Sequence, residues 1–243
     1  MKQRLDLLLV ERGLAETRSR AQARIMAGQV IVDDHRADKA STQVRSDAEI
    51  RFKGNDLAYV SRGGLKLEAA LEAWPIELKG AVCMYVGAST GGFTVLMLLR
   101  GAATVYAVDV GHNQLAWKLR QDERVINLER MHIAKLEVGS LQPAPSLAVI
   151  DVSFISLRRV LPATLPHLGP AGRVYALVKP QFEVGRERVG KGGIVRDESA
   201  RKDALDGVLA TAEELGMNCL GTIESPITGA RGNVEFLAGW TLP

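Results

Sequence analysis

Apolar residues follow two rhythms along this chain, and the rhythm changes near residue 60. In the first part, Leu5, Leu8 and Leu9 recur at helical spacing ahead of Gly13. Ala21, Ile25 and Met26 mark the inward face of a second helix, which Thr17 or Ser19 can cap and Gly28 ends. Val30-Ile31-Val32, the turn Asp33-Asp34 and the alternating run Ala48-Glu49-Ile50-Arg51-Phe52 read as strand, turn and strand. Lys53-Gly54-Asn55-Asp56 reads as a linker. Beyond it, Leu67, Ala70, Leu71 and Trp74 trace one face of a helix ended by Pro75. Strand-like runs at 82–86, 104–108, 125–128, 147–150 and 174–178 then alternate with helical intervals at 93–100, 114–121, 156–167 and 198–216. That alternation predicts a mostly parallel sheet covered by helices on both faces. The runs 219–223 and 234–242 are joined by a short loop and predict an antiparallel hairpin at the end. The organisation expected is a small α+β domain over 1–55 and a Rossmann-like α/β domain over 56–243.

Composition narrows the class. Of 243 residues, 47% are hydrophobic and 24% charged, which is ordinary globular usage and excludes disorder. No run approaches the roughly 20 apolar residues that span a bilayer, and Arg4, Asp6, Glu11 and Arg12 are incompatible with a signal peptide. Two cysteines, Cys83 and Cys219, cannot build a disulfide framework, and both sit in apolar runs. Buried free thiols and a cytoplasmic location are expected. Net charge is +3, and residues 1–30 carry six basic against three acidic side chains. Arg18, Arg20 and Arg24 cluster on the second helix, with Arg20 and Arg24 one turn apart. Arginines placed before a strand-turn-strand in this way resemble the α-L RNA-binding domain first named from a small-subunit ribosomal protein. Arginine suits phosphate because its planar fork donates two parallel hydrogen bonds.

Chemistry concentrates at predicted strand ends. Val86-Gly87-Ala88-Ser89-Thr90-Gly91-Gly92-Phe93 leaves one strand and opens a helix, a turn in which backbone can approach a ligand closely. Asp109 ends the next strand 22 residues after Gly87, where a carboxylate can take both hydroxyls of a ribose. Asp151 and Lys179 end the fourth and fifth strands. Ligands of open parallel sheets bind outside these carboxyl ends. Alone, the pattern indicates an adenosine-containing cofactor without separating NAD from S-adenosylmethionine.

The chain also resembles the TlyA (hemolysin A) family of ribosomal RNA 2′-O-methyltransferases, whose catalytic domain is similar to the FtsJ RNA methyltransferases. The residues that carry the resemblance run nearly end to end. They are Val60-Ser61-Arg62-Gly63-Gly64-Leu65-Lys66-Leu67, the glycine loop through Thr94, Val105 to Gly111, Gln114 to Arg120 and Asp151-Val152-Ser153-Phe154-Ile155-Ser156-Leu157. They continue with Lys179-Pro180-Gln181-Phe182-Glu183, Gly190-Lys191-Gly192-Gly193, Ser225-Pro226-Ile227-Thr228-Gly229 and Gly232 to Leu237. The resemblance implies a Lys-Asp-Lys-Glu tetrad, which falls on Lys66, Asp151, Lys179 and Glu235. Lys179 would orient a ribose 2′-hydroxyl and take its proton, Asp151 would hold that lysine, and Glu235 would balance Lys66. It also implies S-adenosylmethionine held by Gly87, Ser89, Thr90, Gly91, Gly92, Phe93 and Asp109, with no metal. Ribosomal RNA or a ribosomal subunit is the implied partner, met by Arg4, Arg18, Arg20, Arg24 and Arg62. A cytidine is the implied target.

Some positions depart from the family pattern. Tyr85 stands where the family has an acidic residue before the glycine loop, and Val95 where it has Asp after Gly-Gly-Phe-Thr. His132 and Ala134 replace Asn and Arg, with His132 read as a polar surface or pocket residue rather than a general base. These changes motivate an alternative, an RNA- or ribosome-binding protein with a degenerate cofactor pocket. A pore-forming hemolysin and an NAD-dependent oxidoreductase are further alternatives that no amphipathic basic helix and no hydride-transfer acid support. The loop 185–193, with three basic residues and four glycines, is read as a lid or a clamp on RNA backbone.

Overall fold

A computed structural model describes residues 2–33, 35–52, 63–229 and 232–243. The linker at 53–56, Arg62 and the Val60-Ser61 part of its motif lie outside the described residues, as does Asp34 of the expected turn. The chain forms two compact units, 1–57 and 58–243.

In the first unit, helices α1 (Leu5–Glu11) and α2 (Arg18–Met26) pack together. Strand β1 (Lys2–Arg4) pairs antiparallel with β4 (Gln43–Arg45), and β2 (Val30–Val32) is flanked by β3 (His35–Ala37) and β5 (Ile50–Phe52). Leu5, Leu8, Leu9, Ala21, Ile25 and Val30 form the core. Thr17 caps α2 by accepting a hydrogen bond from the Arg20 N–H. Met26 is 70% exposed, contrary to expectation, because the buried stripe runs through Ala21 and Ile25 at i, i+4 and turns Met26 to solvent.

The second unit is a seven-stranded sheet. Its strands are β6 (Val82–Val86), β7 (Thr104–Val108), β8 (Val125–Leu128), β9 (Leu147–Ile150), β10 (Arg173–Val178), β11 (Asn218–Glu224) and β12 (Phe236–Thr241). The spatial order is β11-β12-β10-β9-β6-β7-β8, with β10 through β8 parallel and β12 antiparallel to both neighbours. The central strands are apolar on both sides, and alternate residues enter different cores. Cys83, Tyr85, Val105, Ala107 and Val149 face α3 (Gly63–Ala73) and α4 (Gly92–Leu99), whereas Met84, Val86, Tyr106, Val108 and Ile150 face α6 (Leu157–Thr164) and α7 (Glu198–Glu214). Because β6 lies between β7 and β9, the chain reverses its direction of travel across the sheet there. Its carboxyl end is the topological switch point at which open α/β sheets bind ligands.

The sequence predicts a helix over 114–121, but α5 spans only Trp117–Arg120. The N–H groups of Asn113, Gln114 and Leu115 donate to the Glu129 carboxylate instead of entering a helical ladder. Cys219 is exposed rather than buried, since β11 is the outermost strand of the sheet. Cys83 is buried as expected, and burial pushes its thiol up to about 12. Among the described residues, no helix is long and apolar enough to cross a membrane.

Candidate active site

The segments after β6, β7, β8 and β9 line a cleft of about 300 Å³. Its polar lining includes Ser89, Asp109, His132 and Asp151, and its apolar lining includes Val110 and Ile133. The backbone of Gly87 makes this arrangement possible. With φ +85 it occupies the left-handed region, and a Cβ there would overlap the Asp151 carbonyl oxygen, so any side chain would drive the β6 and β9 loops apart. Ser89, also at positive φ, donates its N–H to Asp109 Oδ2 at 2.7 Å, and the Gly111 N–H donates to Oδ1 at 2.6 Å. Asp109 therefore ties the glycine loop to the turn after its own strand while still lining the cleft.

Of the residues expected to hold a cofactor, Gly87, Ser89 and Asp109 line the cleft; Thr90, Gly91, Gly92 and Phe93 do not. Gly91, at φ +94, leaves room for Leu119, which a Cβ would overlap. Phe93 is buried with its ring stacked on Tyr85, the centroids 4.8 Å apart. Gly91 and Phe93 hold the loop from behind. Tyr85 is buried too, and burial together with the carboxylates of Asp151 and Asp109 raises its phenol well above the usual range, so it stays neutral. His132 caps a short 3-10 turn by accepting the Ala134 N–H on Nδ1, at 3.1 Å.

Four chain segments bring the expected tetrad together as two ion pairs. Lys179, just past β10, lies 2.7 Å from Asp151 Oδ1 at the end of β9, and its Nζ also donates to Ser153 Oγ at 3.0 Å. Lys66 on α3 donates from Nζ to Glu235 Oε2 at 2.5 Å, and both side chains are buried. Glu235 precedes Phe236, which pairs with Val178, so the antiparallel register carries Glu235 to the strand end from which Lys179 leaves. Gly229 makes room for the Glu235 carboxylate, which a Cβ at that position would overlap.

Three further side chains organise the site in roles that the sequence does not reveal, although Glu183 and Asn233 lie within the stretches that carry the family resemblance. Burial works to raise Glu129, but the N–H donors of residues 113–115 and the Arg120 guanidinium outweigh it and lower the carboxyl to about 2. Glu183 accepts from Ser156 Oγ at 2.5 Å and the Leu157 N–H at 2.8 Å, fastening the turn after Lys179 to the start of α6, and its burial raises its carboxyl. Asn233 accepts the Val195 N–H and donates to the Gly193 carbonyl, anchoring one end of the glycine-rich loop. Within that loop Arg188 is bound to Asp203 at 2.6 Å and Asp197 at 3.4 Å, leaving Arg186 and Lys191 as its exposed basic residues.

In the first unit, Asp6 is fully buried and gathers Arg4 and Arg18, each at 2.9 Å, with Gln22 at 2.8 Å. The Arg4 hydrogen bond holds the Asp6 carboxyl well below the usual range against the cost of burial, with Gln22 and Arg18 adding to it. Arg20 pairs with Glu16 at 2.8 Å, and Arg24 lies over the Phe52 ring at 4.7 Å. Arg18 and Arg20 remain more than half exposed.

Comparison with known proteins agrees with both units. Residues 59–241 match the FtsJ-like methyltransferase family and residues 3–50 match the S4 domain. The Bacillus subtilis protein YqxC, provisionally called an rRNA methyltransferase, is 52% identical over 97% of this chain and 84% of its own length. The 16S/23S rRNA (cytidine-2′-O)-methyltransferase TlyA of Mycobacterium tuberculosis is 45% identical over 96% of this chain and 87% of its own. A Streptococcus thermophilus structure with a provisional hemolysin designation is 47% identical and superposes with a TM-score of 0.77, covering 99% of this chain and 88% of that one. The chain is a member of the FtsJ-like methyltransferase family, of the TlyA type that joins an S4 domain to the methyltransferase domain.

Proposed function

We propose that the protein methylates a ribose 2′-oxygen of ribosomal RNA, with a cytidine as the target, using S-adenosylmethionine. The pairing of Lys179 with Asp151 beside the switch-point cleft is the observation that carries this reading. The cleft fits the cofactor by charge and by surface. S-Adenosylmethionine carries a sulfonium cation, and the cleft is lined by the carboxylates of Asp109 and Asp151. Asp109 uses two of its lone-pair positions on Ser89 and Gly111, which leaves capacity for ribose hydroxyls, and Val110 and Ile133 offer apolar surface to a purine. When bound, the cofactor supplies a methyl group already activated for attack.

The chain's own residues have to position the hydroxyl and remove its proton. Lys179 Nζ is held by Asp151 and Ser153, so its remaining position is directed rather than free to rotate. Once the Lys179 ammonium has given up a proton to solvent, its neutral amine accepts the hydroxyl proton as the oxygen takes the methyl group. The ammonium that results then lies against a carboxylate already in place, and little reorganisation accompanies the charge as it develops. Lys66 and Glu235 form a buried pair that fixes α3 to the entry of β12 and closes this end of the site. The S4 domain supplies the RNA-docking surface through the exposed Arg18 and Arg20 and the cluster organised by Asp6.

RNA binding without methyl transfer is the second reading, favoured by Tyr85 and Val95, which remove two carboxylates from the neighbourhood of the glycine loop. Labelled methyl transfer from S-adenosylmethionine onto unmodified ribosomal subunits, beside a Lys179→Ala control, separates the two. Transfer that the control abolishes supports the enzyme. Subunit binding without transfer, and without cofactor binding by calorimetry, supports the binding protein.

A further inference from the structure

Phe154 is 92% exposed and holds a backbone φ of +66, a region that a residue with a side chain adopts at a cost. Neither burial nor hydrogen bonding of its ring offsets that cost. Its one aromatic neighbour among the described residues is Phe182, with centroids 5.1 Å apart and planes tilted by 51°. Beyond this pair opens a second cavity, of about 510 Å³, lined by Phe154, Ile155, Ser156, Arg158, Arg159 and Phe182. Phe154 and Ile155 also line the cofactor cleft, so the two cavities share a wall. The residue before that wall is Ser153, which holds Lys179.

The charge around the second cavity is as unusual as the exposed Phe154 ring. Arg158 and Arg159 sit in the first turn of α6, where the helix dipole disfavours cations. Arg158 is braced, donating to the Glu183 carbonyl at 2.7 Å with Nε 3.7 Å from the Glu183 carboxylate. Arg159 is exposed, and its guanidinium has no partner among the described residues. Two aromatic rings beside two cations, one of them uncommitted, present the two chemistries that a nucleotide offers: a flat base to stack on and a phosphate to bind.

We propose that this cavity seats the RNA nucleotide adjoining the methylated one, with its phosphate on Arg159 and Arg158 and its base against Phe182. The proposal rests on RNA being the substrate and assigns to the catalytic domain a strand-holding site of its own. The Arg159 guanidinium makes no hydrogen bond or ion pair among the described residues, and removing a cation from the start of a helix does not destabilise it.

The test is binding of the full-length protein to unmodified 16S and 23S ribosomal RNA across a salt series, for wild type, Arg159→Ala, Arg159→Lys, Phe182→Leu and Phe182→Tyr. Loss of one phosphate contact in Arg159→Ala should lower the slope of log affinity against log salt by about one and weaken binding about fivefold to tenfold. Its melting temperature should stay equal to or above that of wild type, and Arg159→Lys should retain most of the affinity. Phe182→Leu should weaken binding on the order of tenfold while Phe182→Tyr keeps it. An unchanged salt slope and affinity in Arg159→Ala would overturn the proposal. So would a loss confined to whole subunits and absent on naked RNA, because it would point to an acidic ribosomal protein as the occupant. Wild-type protein that binds RNA but transfers no methyl would refute the proposed activity, while the salt slopes would still decide the cavity.

Discussion

The Lys66–Glu235 pair offers the sharpest energetic test of how this domain is built. Nζ and Oε2 are 2.5 Å apart, and the side chains are 10% and 2% exposed. Two ions taken this far from water forfeit most of their hydration, and their mutual attraction roughly repays the loss. The pair should therefore add little net stability, whereas removing one member leaves the other buried and uncompensated. Lys66→Met should cost about 3–5 kcal/mol, and Glu235→Leu a similar amount. In a domain of this size each kcal/mol lowers the melting temperature by roughly 2–4 °C, so each single variant should melt about 6–20 °C lower. The double variant Lys66→Met/Glu235→Leu buries no charge and should return to within about 1 kcal/mol of wild type. Tryptophan fluorescence during urea unfolding is the natural assay, because Trp74, Trp117 and Trp240 all belong to the second unit and report on it alone. A single variant that loses under about 1 kcal/mol, or a double variant no more stable than the worse single, would refute the reasoning.

Three other perturbations have definite expected outcomes. Gly87→Ala places a Cβ against the Asp151 carbonyl at positive φ; strain and overpacking together should cost about 2–5 kcal/mol and weaken S-adenosylmethionine binding measured by calorimetry. Asp6→Ala removes the shared acceptor of Arg4, Arg18 and Gln22 and should destabilise the first unit by about 1–3 kcal/mol, seen as faster hydrogen exchange in β1 and β4 and as weaker RNA binding. Glu129 has a depressed carboxyl in the folded state, so its stabilisation is complete above its unfolded value of 4.5 and is lost as pH falls toward about 2. Acid titration of wild type should loosen residues 113–116 across that window, and Glu129→Gln should flatten the dependence.

The α/β architecture was legible because it is written in repeated, strongly apolar segments. Cys83, Tyr85, Val105 and Ala107 alternate with Met84, Val86 and Tyr106 between two cores, and both sets are apolar, so the strands read as continuous hydrophobic runs. Three-residue strands such as β1, β3 and β4 carry too few side chains to show a period. The ends of α5 and the exposure of Cys219 depended on neighbours distant in sequence, whereas Met26 was turned outward by the narrow Ala21–Ile25 stripe of its own helix. For α5 that neighbour is Glu129, whose carboxylate competes for the N–H groups that would otherwise begin the helix. At the site, Asp151 and Lys179 could be placed from strand ends alone, whereas Lys66 and Glu235 are 169 residues apart and look like ordinary surface charges until α3 and β12 bring them together. The glycine loop was legible as a turn but not in its division of labour. Gly87 faces the ligand cleft, whereas Gly91 and Phe93 pack the back of the loop.

That division of labour also explains how Tyr85 can stand in a position where the family resemblance implies an acid. Its ring lies flat on Phe93 at 4.8 Å, behind the loop, and its phenol is kept neutral by burial and by the carboxylates of Asp151 and Asp109 nearby. A third carboxylate at that depth would be close to two others while the one cation beside them, Lys179, is already paired with Asp151, which is a costly arrangement in the absence of a positively charged ligand. The phenol removes that repulsion and replaces it with aromatic packing that holds the loop in shape before any ligand arrives. Asp109 and Asp151 still line the cleft, so its acidic character towards a cation is reduced rather than lost. The substitution therefore trades electrostatic attraction for a loop fixed in advance, a preorganisation that lowers the entropy lost on binding. In the proposed reaction, methyl transfer depends on the position of Lys179 more than on the affinity of the cleft, and that position is set by Asp151 and Ser153. Neither residue relies on an acid at position 85 to reach Lys179.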